Sequence, residues 1–173
     1  MTKSPSCLGF PPNIDKDCTT LILGSMPGVT SLAMQQYYAH PQNRFWKLMY
    51  QLLENTCDIP VNYQDKLTML LKHHIALWDS LDSCDRQGSL DSDIRNESGS
   101  NIIALLSKYP TIKTICLNGG KSFQSFKKYN QPLLLRNDLT ITPLPSTSPA
   151  NARWTLEKLL PVWENALKDN ISI

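Results

Sequence analysis

The period of the apolar positions changes several times along this chain, and each change marks an element. Residues 19–23 form a short apolar, partly β-branched run that ends in Gly24-Ser25-Met26-Pro27-Gly28, the pattern of a buried strand entering a tight loop. From Asn43 onward, Phe45, Trp46, Leu48, Met49, Leu52 and Leu53 recur at helical spacing, and Leu67, Leu70 and Leu71 repeat the pattern in a second helix. Residues 75–78 predict another strand. Residues 79–97 are polar, rich in Asp and Ser, and read as a long or functional loop. A helix beginning over 102–106, a β-branched strand over 111–117 and a helical stretch over 119–129 follow. Residues 139–144 predict a fourth strand, and 149–167 a closing helix kinked at Pro161.

Strands that alternate with helices imply parallel βαβ units. The expected fold is therefore α/β: a three-layer α/β/α domain with a central parallel sheet of about four strands. A single domain over 1–173 is expected, with residues 1–17 as an extended lead. In open sheets of this kind ligands lie beyond the carboxyl ends of the strands. The loops at Gly24, Asp79, Asn118 and Pro145 should converge there.

Composition narrows the class. Hydrophobic residues make up 41% and charged residues 18%, which fits a globular protein and excludes disordered and collagen-like chains. The net charge is only +2, but residues 1–98 carry 8 Lys/Arg against 11 Asp/Glu while residues 99–173 carry 9 against 4. The second half is the basic one, as a polyanion-binding face would be, although scattered surface lysines produce the same count. Cys7, Cys18, Cys57, Cys84 and Cys116 are odd in number, widely spaced and without any CxxC pair, so no metal site is readable. No apolar run approaches the length of a membrane span. A reducing, cytoplasmic compartment is expected, with no metal or cofactor.

Three segments carry candidate chemistry, and each has a plainer reading beside it. In Gly24-Ser25-Met26-Pro27-Gly28 the glycines let backbone approach a ligand, yet the loop also suits an ordinary strand-to-helix turn. In the run from Tyr37 to Trp46, aromatic, amide and basic groups crowd a helix start, where Asn43 also serves as a natural cap. In Leu144-Pro145-Ser146-Thr147-Ser148-Pro149-Ala150-Asn151-Ala152-Arg153-Trp154, a strand end meets hydroxyl residues and a helix start, which makes either a phosphate seat or a simple Ser/Thr cap. Ser25 as an esterase-type nucleophile lacks a GxSxG elbow.

Together, and in this order, GSMPG, YYAHPQNRFW, ALWDSLDSCDRQGSLDSDI, ICLNGGKSF and LPSTSPANARW resemble the uracil-DNA glycosylase superfamily, closest to its hypoxanthine-DNA glycosylase branch. The resemblance runs from Thr20 to Trp163. It implies a uracil-DNA glycosylase-like fold and a monofunctional enzyme of base excision repair that flips a deaminated base out of double- or single-stranded DNA. By resemblance Asn43 is the catalytic amide, and Gly24, Ser25, Met26, Tyr38, Phe45 and Asn118 bind the base, with Phe45 stacking on it and Asn118 reading its edge. Pro145, Ser146, Thr147, Ser148, Pro149, Ala150, Asn151 and Arg153 correspond to the DNA-binding loop and wedge.

One departure bears on the substrate. Where the mismatch-specific branch has a catalytic Asn in the first loop and the uracil-specific branch an Asp, this chain has Met26, and a thioether neither orients nor deprotonates water. Hypoxanthine is therefore the expected base. The alternatives are a uracil or mixed-substrate glycosylase and a non-catalytic lesion binder. Asp79 and Asp82 are expected to cap or solvate their loop, with a carboxylate base as the second reading. His40, His73 and His74 carry less weight.

Overall fold

The structure is a computed structural model that describes residues 3–171. Met1, Thr2, Ser172 and Ile173, the ends of the expected 1–173 domain, lie outside the described residues. In chain order the strands are β1 (Ser6–Leu8), β2 (Thr20–Gly24), β3 (Ile75–Asp79), β4 (Leu81–Asp85), β5 (Arg95–Gly99), β6 (Thr114–Asn118) and β7 (Thr140–Leu144). The helices are α1 (Val29–Met34), α2 (Phe45–Leu53), α3 (Tyr63–Lys72), α4 (Ile102–Lys108), α5 (Gly120–Tyr129) and α6 (Leu156–Ala166).

Four strands in the order β3-β2-β6-β7 form one fully parallel sheet. The central strand β2 is buried along its whole length, and the two-residue period of a strand sends its side chains to two different cores. Ile22 joins Phe45, Leu48, Met49, Leu70, Leu159 and Trp163 from α2, α3 and α6. Leu21 and Leu23 join Ile102, Leu106 and Phe126 from α4 and α5. Helices thus cover both faces, giving the expected three layers.

Register fixes where the loops go. Gly24 pairs with Asp79 and Asn118 pairs with Leu144, so the strands end level with one another at the carboxyl edge. The loops that leave them are forced together.

Two expectations need correction. The 1–17 lead and the 79–97 loop both contribute strands, since β1, β4 and β5 form a separate antiparallel sheet in the order β1-β4-β5. Its register shifts between Leu81 and Asp85 break the simple alternation that sequence patterning depends on. Its Cys7, Leu81 and Cys84 pack with Ile94, just ahead of β5, against Met26. The closing helix begins at Leu156 rather than 149. Residues 148–151 are instead wound into a loop: Asn151 Nδ2 donates to the Ser146 carbonyl at 3.0 Å, and Asn151 N–H donates to Ser148 O at 2.9 Å.

Candidate active site

Beyond the carboxyl edge lies a cavity of about 540 Å³, within the usual size of small-ligand pockets. Its wall includes Gly24, Ser25, Met26, Tyr38, Asn43 and Asn118, together with the run from Pro145 to Asn151. Of the residues assigned by resemblance to catalysis, base binding or DNA binding, Phe45 and Arg153 do not line it.

Phe45 is fully buried, and Tyr38 lies over it with ring centroids 4.0 Å apart and planes 24° from parallel. Tyr38 and Tyr37, not Phe45, are the aromatic residues that line the cavity. The Tyr38 backbone is left-handed at φ 53°, a conformation that costs a non-glycine residue free energy and is tolerated where the surroundings over-determine it. Here the stack and a 3.1 Å bond from Asn118 Nδ2 to the Tyr38 hydroxyl supply that constraint.

Asn118 is committed to internal bonds. Its Nδ2 also donates to Thr147 Oγ1 at 3.0 Å, and its Oδ1 accepts the Thr147 N–H at 3.0 Å. Both amide donors are thereby used, leaving one oxygen lone pair. In this arrangement Asn118 braces Tyr38 and the 145–151 loop.

That loop differs from the phosphate seat expected at a helix start. The N–H groups of Thr147, Ser148, Ala150 and Asn151 are each bonded within the protein, and the α6 amino terminus is several residues away. Arg44, which sequence reading passed over, ties the loop to the start of α2: its Nη2 donates to the carbonyls of Ser148 and Asn151, and its N–H donates to Thr147 O at 3.1 Å.

Asn43 sits where its two readings meet. Its Oδ1 accepts the Phe45 N–H at 2.9 Å, a bond that satisfies one orphan donor of α2, although the capping position itself is Arg44. Among the described residues its Nδ2 makes no hydrogen bond, and the residue lines the cavity.

The main addition to the sequence reading is Asp79. At 4% exposure it is neither a cap nor solvated, whereas Asp82 is exposed on β4. Asp79 lines the cavity, and its Oδ2 is buried without a hydrogen-bond partner among the described residues. Its Oδ1 lies only 2.5 Å from where a Cβ on Gly24 would stand, and the Tyr38 hydroxyl 2.9 Å from the same point. A side chain at Gly24 would displace both groups. Burial, helped by the Asp91 charge and opposed by Arg86, raises the Asp79 pKa from 3.8 to about 7. No pattern in the 79–97 segment distinguished Asp79 from its acidic neighbours, because the difference is one of burial.

The 79–97 segment also closes one side of the cavity. Ser25 Oγ donates to Asp91 Oδ1 at 2.7 Å, rather than to a histidine, and the Val29 N–H donates to Ser89 Oγ at 2.8 Å. Met26 is 6% exposed and anchors the first loop in the small core beneath the antiparallel sheet. Of the histidines, His40 lines the cavity and its Nδ1 accepts the Gln42 N–H. His73 is bonded instead to Glu54 at 2.7 Å.

Comparison with known proteins places this geometry. The Uracil DNA glycosylase superfamily profile matches residues 11–168. A Methanosarcina barkeri protein named hypoxanthine DNA glycosylase is 35% identical over 160 residues, covering 92% of this chain and 97% of its own length. A Methanosarcina acetivorans protein of the same name is 37% identical over 148 residues, covering 85% and 89%. The solution structure of a Methanosarcina acetivorans protein described as a uracil DNA glycosylase superposes with a TM-score of 0.79 at 34% identity, covering 96% of this chain and 99% of its own. With a profile that spans nearly the whole chain and relatives matched almost end to end, the chain belongs to the uracil DNA glycosylase superfamily.

Proposed function

We propose that this DNA glycosylase flips deoxyinosine out of DNA and hydrolyses its N-glycosidic bond, releasing hypoxanthine. The observation that carries the reading is the lining of the cavity. Its first loop offers Met26 where an amide or carboxylate would serve uracil release, while the Asp79 carboxyl and the Asn43 amide line the same space. The two relatives named hypoxanthine DNA glycosylases support the same substrate.

A flipped base costs a few kcal/mol to unpair, least where pairing is already weak, and deoxyinosine opposite thymine meets that condition. Deamination turns the N1 acceptor of adenine into the N1–H donor of hypoxanthine. An ionised Asp79 is acceptor-only, so it receives that N–H and repels the lone pair adenine would present. Tyr38 offers its ring to the face of the base, and the Phe45 ring behind it keeps it in place. Bond cleavage leaves positive charge on the sugar and negative charge on the base. Asn43, with Nδ2 and one Oδ1 lone pair uncommitted, holds the attacking water. The Gly24 and Ser25 carbonyls accept N–H groups from Ser80 and Leu81 and keep one lone pair each for the same water. The hydroxyls of Ser146 and Ser148, with Arg153 outside the cavity, take the phosphates of one DNA strand, and the protein acts as a single-domain monomer in the cytoplasm.

A base-release panel of hypoxanthine, uracil, xanthine and ethenoadenine in matched oligonucleotides tests this. Hypoxanthine should be released fastest, and uracil release at an equal or greater rate would overturn the assignment. A mixed-substrate enzyme is the second reading, because the ring N–H of uracil offers Asp79 the same donor.

A further inference from the structure

Arg86 follows β4 in the polar segment and is only 1% exposed. Arginine stays charged at any physiological pH, and a buried charge is costly unless something compensates it. Its backbone N–H donates to Pro5 O at 3.1 Å, which fixes the residue to the chain just ahead of β1. The side chain reaches the first loop, where Nη2 donates to the Pro27 carbonyl, while Nε and Nη1 have no hydrogen-bond partner among the described residues. Against Gly24, at the other end of the same loop, lies Asp79, a buried carboxyl whose Oδ2 is likewise without a partner among the described residues. One five-residue loop thus touches two buried, incompletely satisfied groups of opposite charge type, Asp79 at Gly24 and Arg86 at Pro27.

We propose that Arg86 is a positioning residue for base release: its guanidinium clamps the first loop through the Pro27 carbonyl and supplies the positive charge against which the Asp79 carboxylate is held beside the cavity. The assignment rests on the glycosylase reading for its catalytic consequence, but its electrostatic part does not. The groups that face Asp79 are Asp91, which disfavours its charge, Arg86, which favours it, and the phenols of Tyr37, Tyr38 and Tyr63, each of which feels the Asp79 charge in turn. Arg86 is the cation of this set. In its absence the carboxyl faces burial and Asp91 alone and holds its proton to higher pH. The loop that carries Gly24 and Met26 also loses its tether at the Pro27 carbonyl.

Two variants separate these jobs. Arg86→Lys keeps the charge and loses the planar fork, whereas Arg86→Gln keeps a donor for Pro27 and loses the charge. The primary readout is the 13C titration of the Asp79 carboxyl, with the resonance assigned by its absence in Asp79→Asn. It needs no substrate. In Arg86→Gln the midpoint should rise by about one pH unit, the low end of what a nearby opposite charge contributes. In Arg86→Lys it should stay near the wild-type value while the plateau rate of hypoxanthine release falls. Single-turnover release at pH 6 should then be about tenfold slower in Arg86→Gln than in wild type, and the deficit should narrow toward pH 9, which a merely structural role would not produce. An unmoved midpoint in Arg86→Gln overturns the proposal. So does an equal rise in Arg86→Lys, which remains informative if Arg86→Gln does not fold. A moved midpoint in a protein that releases no hypoxanthine refutes the substrate reading instead and leaves the charge coupling intact.

Discussion

Replacing Asp79 by Asn should stabilise the fold while impairing the enzyme, and the stabilisation should depend on pH in a direction fixed by the structure. Burial of the carboxyl raises its pKa from 3.8 to about 7. Between those values the folded state holds a proton that the unfolded state has released, so wild-type stability must fall as pH rises across that window and level off above about 7. The interval is roughly three pH units at about 1.36 kcal/mol each, so the ionised carboxylate costs the fold on the order of 4 kcal/mol at pH 8. Asn carries no such cost. For a chain of this size 1 kcal/mol moves the melting temperature by about 2–4 °C, so Asp79→Asn should melt on the order of 10 °C higher at pH 8 and close to wild type at pH 4. Calorimetric or circular-dichroism melts of both proteins from pH 4 to 8.5 measure the difference directly. Hypoxanthine release by the variant should be slower and should lose the rise through neutral pH that ionisation of Asp79 gives the wild type. A melting difference that does not change with pH, or a variant less stable than wild type at pH 8, would show that Asp79 is paired in solution and would refute the argument.

Asn43→Ala should lose about 1 kcal/mol through the bond to the Phe45 N–H, bind inosine-containing DNA within a few fold, and lose on the order of a hundredfold or more in single-turnover release. Asn43→Ser keeps an oxygen at the helix start and separates the roles: if both variants melt lower yet cleave normally, the residue serves only α2. Gly24→Ala places a Cβ 2.5 Å from Asp79 Oδ1 and 2.9 Å from the Tyr38 hydroxyl, so base release should collapse while overpacking costs about 1–3 kcal/mol in a urea melt. DNA affinity should fall steeply with salt, each phosphate contact adding roughly 0.9 to the slope of log affinity against log salt. Arg153→Ala should reduce that slope by about one, and a flat response in fluorescence anisotropy would remove the 145–153 region as the docking face.

Much of this protein was legible in the residues themselves. Three of the four parallel strands, β2, β3 and β6, announced themselves as mostly apolar, buried runs, and α2 because Phe45, Trp46, Leu48, Met49 and Leu53 recur on one face. The convergence of the Gly24, Asp79, Asn118 and Pro145 loops followed from parallel topology alone, since parallel strands in register end on one side. The antiparallel sheet did not announce itself: β1 has three residues, and β4 and β5 pair through shifted register with mostly polar, exposed positions, so no two-residue period survives to be read. Site membership split along the same line. Local motifs brought forward Gly24, Asn43 and the Ser146 loop, because turns and helix starts are local. Only tertiary packing stacked Tyr38 on Phe45, engaged both donors of Asn118, and buried Asp79 and Arg86 while leaving Asp82 in solvent. Burial and the partner a polar atom finds depend on segments far apart in the chain, and those two quantities decide which of several similar side chains meets the cavity.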